Sequence, residues 1–508
     1  MMVRGGSGPF RRIMDGIERV GNAIPHPATL FLLLAGLTVL LSAALSALGI
    51  TVIHPGTGET VAVTNLLSAS AIRRLAFQVV PNFTGFAPLG PVLVSLLGLA
   101  VAEHSGLFGA LVRWGVERTA RRYLTLAVVF VGANAHTAGD VGYVLLLPLA
   151  AATFHGAGRH PVAGIAAAFA GVSGGFAANL LLSPTDLVIA GITQEAARLI
   201  DATYSVAPTA SYWFLAASVG FVTIVGAAVT EWIVEPRLGR YEGPVAAPSA
   251  ESLSVLERRG LRRAGLVVLG LLGLLAWGVV PADGPLRDPG QPGLLGSVLI
   301  RGLVALLFLF GVIPGVVYGV TVGTVRRDTD VYRAMQQSME GVAGYLVVVF
   351  CIAQFIALLA WSNLAVIIGV HGAVFLQSMQ IGVIPLLIVV VFMTAAMDLV
   401  LGSAAAKWAM LAPVLVPMLM VLGYAPELSQ TAYRVGDSLT NIITPLASNF
   451  PLVLMFLQRY VPRAGVGSLM ALMVPYSLAN AIWWTAMLVV WVSCGWPTGP
   501  GAQLYLRP

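Results

Sequence analysis

Asp140, Asp186, Asp398 and Asp437, together with Lys407 and Arg434, all fall inside long apolar stretches of this 508-residue chain. An ionised group at membrane depth is costly unless it is paired or hydrated, so residues of this kind mark ion pathways and solute sites. The chemistry open to them is to hold a charged solute and to take up or release a proton or cation. They sit where the apolar runs are interrupted. Asn134-Ala-His-Thr-Ala-Gly-Asp140 and Gly402-Ser-Ala-Ala-Ala-Lys-Trp408 form one pair of interruptions. Ser173-Gly-Gly-Phe-Ala-Ala-Asn179 through Asp186, and Arg434-Val-Gly-Asp437 through Pro445, form the next. Helix breakers and ionisable groups at matching places in two halves are the sequence sign of the central site of a secondary transporter.

Each of these residues also has a plainer reading. Arg434 and Asp437 stand three apart and could pair on one helix turn. Asp186 follows Ser183-Pro-Thr185 with no cation beside it in sequence, which favours function. Asp140 could cap the second arm of a hairpin at its N-terminal end, and Asp398 could face water near the end of a hairpin arm. Lys407, the only lysine in the chain, either offers charge at membrane level or snorkels to the interface. Trp408 either gives an aromatic substrate a flat face or packs as an ordinary tryptophan. His136 fits a structural hydrogen bond. Asn179 and Asn441 lie at related places in two broken helices, and Pro445 frees a carbonyl one turn back. Unwound helices offer positive N-terminal ends to a carboxylate and bare carbonyls to a cation.

The elements that must position these residues lie in lipid. The chain is 58% hydrophobic and 10% charged, with a mean hydropathy of +0.88, whereas a soluble chain carries about 25% charged residues. We read one all-α integral membrane unit whose surroundings are membrane lipid, with no soluble domain and no nucleic-acid partner. Cys351 and Cys494 are the only cysteines, which excludes a disulfide framework and a cysteine metal site. No nucleotide-binding glycine motif or zinc-ligand spacing occurs, and no cofactor is expected beyond a proton or sodium gradient. The run from Ala28 to Ile50 is too long for a cleavable signal and reads as the first spanning helix.

Nine spanning segments fit, at 28–50, 80–112, 161–190, 209–234, 264–281, 296–320, 341–370, 431–458 and 467–492. Two more apolar stretches, 123–153 and 381–422, read as re-entrant hairpins, because irregular backbone survives at membrane depth only under protein or water. Residues 1–27 form the N-terminus, 28–234 the first half, 235–263 a cytoplasmic linker and 264–508 the second half. Arginine placement tests this order, since short cytoplasmic loops are the basic ones. With the N-terminus inside, twenty arginines fall on the cytoplasmic side, against Arg73, Arg74, Arg198, Arg287 and Arg507 outside. Treating either hairpin as one full crossing inverts every later loop and destroys that bias. The order segment, hairpin, broken helix, helix then occurs twice with opposite orientation, as an inverted repeat requires.

At these residues the chain resembles the aminobenzoyl-glutamate transporter (AbgT) family of the ion transporter superfamily. The resemblance runs nearly end to end, through Gly21-Asn-Ala-Ile-Pro-His-Pro27, Asn82-Phe-Thr-Gly-Phe-Ala-Pro-Leu-Gly90 and Ala100-Val-Ala-Glu-His-Ser-Gly106. It continues through Gly158-Arg-His-Pro161, Ala170-Gly-Val-Ser-Gly-Gly-Phe176, Trp361-Ser-Asn363 and Tyr433-Arg-Val-Gly-Asp-Ser-Leu-Thr-Asn-Ile-Ile-Thr-Pro445. It implies a homodimer of nine-helix protomers with two hairpins in a bacterial cytoplasmic membrane. It also implies uptake of p-aminobenzoyl-glutamate, or export of p-aminobenzoate and sulfonamides, driven by an ion gradient. The family's functional residues fall on Asp186, Trp408, Arg434, Asp437 and Pro445. Ala405 stands where the family usually has serine, with Ser403 close by; Asp398 stands where asparagine is usual. The first hairpin has Ala133, Asn134 and His136 where a serine-rich tip is typical.

The expected mechanism is ion-coupled alternating access for a small aromatic carboxylate or sulfonamide. Arg434 and Lys407 would supply positive charge, Trp408 a stacking face, and Asn134, Asn179, Asn441 and Ser403 hydrogen bonds. Asp186 and Asp437, with Asp398, would couple transport to protons; sodium near Asn134, Asn179 and Asn441 is the other option. Two rivals differ in class. A dicarboxylate or citrate carrier of the same fold would show paired serine-asparagine-threonine tips, which this chain lacks. An intramembrane aspartyl protease would use Asp140 and Asp437 as a dyad.

Overall fold

Helices that meet lipid on one side and protein on the other carry apolar side chains on every face, and they must satisfy their backbone internally. The computed structural model describes residues 25–506 apart from 56, 118, 136–141, 244, 246–252, 282 and 288–296. His136 and Asp140 lie outside the described residues. Among those described, the only sheet is a two-stranded antiparallel ribbon, Thr51–Ile53 with Thr60–Ala62, in which Val52 faces Val61. The rest of the regular structure is helical.

Short turns aside, the first half contains α1 (Pro27–Ala47), α2 (Ala69–Thr84), α3 (Leu89–His104), α4 (Leu107–Glu117), α5 (Leu124–Ala135), α6 (Leu147–Gly156), α7 (Pro161–Val172), α8 (Pro184–Ala197) and α9 (Tyr212–Val229). The second contains α10 (Val255–Val279), α11 (Leu303–Val322), α12 (Asp328–Trp361), α13 (Leu364–Ser378), α14 (Val383–Asp398), α15 (Ala404–Val421), α16 (Pro426–Thr440), α17 (Phe450–Tyr460) and α18 (Val466–Ser493). Among the described residues, eight stretches are long and apolar enough to cross a membrane: α1, Ala69–His104, Tyr212–Leu238, α10, α11, α12, α15 and α18. Seven of them correspond to expected spans. The eighth, α15, is the second arm of the stretch read as a hairpin. The two remaining expected spans, 161–190 and 431–458, are the broken helices and are built from shorter pieces.

Several bounds differ from the sequence reading, each for a local reason. The segment expected from residue 80 begins at Ala69, where Ser68 accepts a hydrogen bond from the Ala71 N–H. Gly106, at φ +87°, then separates α3 from α4. The segment expected at 341–370 starts at Asp328 and is divided by Asn363 at φ 61°, the left-handed conformation that asparagine tolerates. The expected linker 235–263 becomes helical from Val255. There Ser254 and Glu257 form a reciprocal capping box.

Close approach of backbones sets the packing. A Cβ on Gly315 of α11 would lie 2.8 Å from the Ala102 nitrogen of α3, so only glycine permits this crossing. In the same way α5 rests on α7, where a Cβ on Gly132 would lie 3.0 Å from the Gly171 Cα. The centre of the molecule is α16. Its residues Pro426 to Leu439 are all buried, although they include Glu427, Gln430, Arg434 and Asp437. A polar helix enclosed on all sides must satisfy every one of those groups from its neighbours.

Candidate functional site

Two breaks face each other at the centre. α7 ends at Val172, residues 173–183 are irregular, and Pro184 starts α8. Pro184 needs no helical N–H donor at this first-turn position, and Ser183 caps the new helix. On the other side α16 ends at Thr440 and a 3₁₀ turn covers Asn441–Ile443. Extended backbone follows at Thr444, and α17 begins at Phe450. The Ala177 N–H donates to Ser438 Oγ at 3.0 Å, joining one break to the helix that leads into the other.

Asp186 sits in the first turn of α8 and is 1% exposed. Its Oδ2 accepts from the Ser183 N–H at 2.6 Å, Ser183 Oγ at 2.9 Å and Asn179 Nδ2 at 2.9 Å. Its Oδ1 accepts from Arg434 of α16, which is 3% exposed. So the carboxylate that has no cation near it in sequence meets one from the other half. Asn179 also donates to the Leu181 carbonyl at 2.7 Å, while its buried Oδ1 accepts no hydrogen bond among the described residues. Asn134, at the end of α5, accepts from the Leu180 N–H at 3.1 Å and ties the first hairpin to the same break.

One turn along α16 lies a second cluster. Asp437 does not pair with Arg434, as the i, i+3 reading allowed; it takes Lys407 of α15 at 2.5 Å. Lys407 also pairs with Asp398, at the end of α14, and both are fully buried. Asp398 therefore does not face water. Thr440 Oγ1 donates to Asp398 Oδ2 at 2.9 Å, and Thr444 Oγ1 lies 3.3 Å from the same oxygen. Lys407 does not snorkel: its amino group lies between two carboxyl groups.

Trp408 is wholly buried. Its indole stacks on Tyr433 with centroids 4.5 Å apart, and Nε1 donates to Thr193 Oγ1 at 2.8 Å. In this conformation the face on Tyr433 is already covered. Ser403 is exposed at the tip between α14 and α15, where its hydroxyl caps α15. Gly402 beside it packs on the second break, where a Cβ would lie 3.1 Å from the Leu446 carbonyl oxygen. Asn441 and Pro445 are half-buried within that break.

The structure adds residues that the motifs did not mark. Thr193 donates to Gln430 Oε1 at 2.7 Å, and Gln430 donates to Ser211 at 3.1 Å. Tyr433 donates to the Ala404 carbonyl at 2.5 Å. Tyr204 donates to buried Glu427 at 3.0 Å. The usable signal is the recurrence of polar residues at 427, 430, 431, 434, 437 and 438, a polar helical face inside a membrane-level segment. Among the described residues no group of histidine, cysteine or acidic side chains is arranged to hold a metal ion.

A mostly helical membrane protein whose two helix breaks enclose paired charges has the build of a carrier. The chain matches the model of the AbgT putative transporter family over residues 12–506. It belongs to that family. It is 38% identical over 490 residues to the p-aminobenzoyl-glutamate transport protein of Escherichia coli (strain K12), covering 96% of each chain. Its fold is similar to the Alcanivorax borkumensis YdaH transporter, at 46% identity and a TM-score of 0.88 over 94% of this chain and all of that one. It is also similar to Neisseria gonorrhoeae MtrF, described within a class of antimetabolite efflux pumps, at 44% identity and a TM-score of 0.91 over 96% of this chain and all of that one. These relatives are transporters and not enzymes, so the aspartyl protease reading falls. One member of its supposed dyad, Asp437, is engaged by Lys407.

Proposed function

We propose that this transporter moves a small aromatic carboxylate or sulfonamide by alternating access, driven by an ion gradient. The candidates are p-aminobenzoyl-glutamate, carried inward, and p-aminobenzoate or sulfonamides, carried outward. The Arg434–Asp186 pair between the two breaks carries the reading. A proton arriving at Asp186 would cancel its charge and release the guanidinium, which a substrate carboxylate could then engage through a two-pronged contact. Loss of the proton would restore the pair and expel the substrate. Asn134, Asn179, Asn441 and Ser403 stand around the breaks to orient the aromatic ring and amide. Trp408 would meet an aromatic substrate only after Tyr433 moved from its face.

Lys407 plays a different part from the one expected of it. Sealed between Asp398 and Asp437, it holds the second coupling group instead of contacting solute. Sodium is the alternative coupling ion, and the buried Asn179 Oδ1, which accepts nothing among the described residues, is the atom that favours it. The protomer would pair as a homodimer in a bacterial inner membrane with its N-terminus inside, its two halves forming an inverted repeat around two re-entrant hairpins.

The test is flux in proteoliposomes. Labelled p-aminobenzoate, p-aminobenzoyl-glutamate and a sulfonamide are offered under separately imposed proton and sodium gradients. Asp186→Asn is expected to abolish gradient-driven flux while the protein stays folded. Wild-type flux in that variant would remove Asp186 from the mechanism, and flux of citrate alone would favour the dicarboxylate carrier.

A further inference from the structure

A groove of about 770 Å³ lies far along the chain from the charged breaks, between α4 and the start of α10. Leu111, Trp114 and Glu117 line one side, and Arg258, Arg259 and Arg262 the other. Arg258 and Arg262 are four residues apart on α10, and Arg259 and Arg262 three apart, so all three present their charge to one neighbourhood. Among the described lining residues Glu117 is the one carboxylate, and it is already committed, since it accepts from Arg258 at 2.8 Å. Glu257 is taken by Arg113. Arg259 and Arg262 are exposed and enter no ion pair among the described residues. Beside these arginines α10 is packed closely, because Gly260 rests on buried Tyr318, whose ring would lie 2.9 Å from a Cβ there.

Charge is only half of the surface. Leu111 and Trp114 are each 45% exposed, and α10 continues with Leu266 and Leu269 at 60% and 65% exposure. A cationic rim therefore passes directly into an apolar wall, at the end of a helix long enough to cross a membrane. Tryptophan belongs at that level, where its ring meets both headgroup and hydrocarbon. A soluble anion would satisfy the arginines and leave the apolar wall unused; a zwitterionic lipid would bring a second cation against them. Basic pockets between membrane helices suit anionic headgroups, and paired guanidiniums suit a phosphodiester.

We propose that this groove is a binding site for an anionic phospholipid, its phosphodiester on Arg259 and Arg262 and its acyl chains along Leu111, Leu266 and Leu269. The test is native mass spectrometry of the full-length protein in detergent, titrated with phosphatidylglycerol, phosphatidylcholine of the same chains and glycerol 3-phosphate. Phosphatidylglycerol is expected to bind about tenfold more tightly than phosphatidylcholine, and glycerol 3-phosphate not measurably. The exposed double variant Arg259→Gln/Arg262→Gln should lose about thirtyfold in phosphatidylglycerol affinity, as the removal of two headgroup cations implies. Its unfolding temperature should be unchanged. Equal binding of the two lipids, or undiminished binding by the variant, would overturn the proposal. Binding of glycerol 3-phosphate as tight as that of lipid would make it a soluble-anion site. Loss of binding only when copies of the chain separate would make it a protein interface. No arm uses transport activity, so the result stands apart from the functional reading.

Discussion

The ion pairs at the centre join residues remote in sequence, and their arithmetic can be checked. Lys407 serves two carboxylates at once. Removing one partner of a buried pair leaves uncompensated charge and costs about 3–5 kcal/mol. Lys407→Met should therefore lower the unfolding temperature of the detergent-solubilised protein sharply. Adding Asp398→Asn, which removes one of the two stranded charges, should recover a large part of that loss. If the double variant unfolds at the same temperature as the single one, the two residues do not share a charge. That charged side chains lie at membrane level was legible, because a carboxylate or lysine in an apolar run stands out against its neighbours. Their partners were not. Proximity in sequence favours Arg434 with Asp437, whereas the structure pairs Arg434 with Asp186 across the two halves, and only tertiary packing can select that.

At the scale of the element, breakers announced themselves while helix starts hid. Gly174, Gly175, Pro184 and Pro445 mark the breaks because each removes a donor or loosens the backbone. The start of α10 was missed although Ser254-Val-Leu-Glu257 is an open capping signal. The arginines after it resemble a solvated linker, and their charge masks the cap. The structure makes that cap testable. Ser254→Ala removes the acceptor for the Glu257 N–H, held at 3.2 Å, and should cost about 1 kcal/mol of local helix stability. Amide exchange across residues 255–259 should quicken several-fold while α11 is unaffected; unchanged exchange would mean that packing on Tyr318 alone holds the helix start. Arg434 and Asp437 of α16 were legible singly, but the rest of its polar face, and its enclosure as one helix, were not. Complete burial of so polar a segment defies composition and is decided by what packs around it.

For the whole molecule, the distribution of arginines argues for one order of crossings, and the described helices leave that order open to direct test. α14 and α15 meet at Leu399–Ser403. If they form a re-entrant hairpin, their outer ends lie on one side of the membrane. Cysteines placed singly at Met379 and Leu422, after replacing Cys351 and Cys494 by alanine, should then react with an impermeant maleimide from the same side of sealed vesicles. Labelling from opposite sides would turn the pair into a full crossing. Motion of this assembly is constrained by α16, which holds Arg434 against Asp186 and, about 4.5 Å further along its axis, Asp437 against Lys407. A screw slip of one turn would bring Asp437 to Asp186 in one direction or Arg434 to Lys407 in the other, replacing one attraction with a like-charge contact and breaking the second pair. The two pairs thus key α16 in register against α8 and α15.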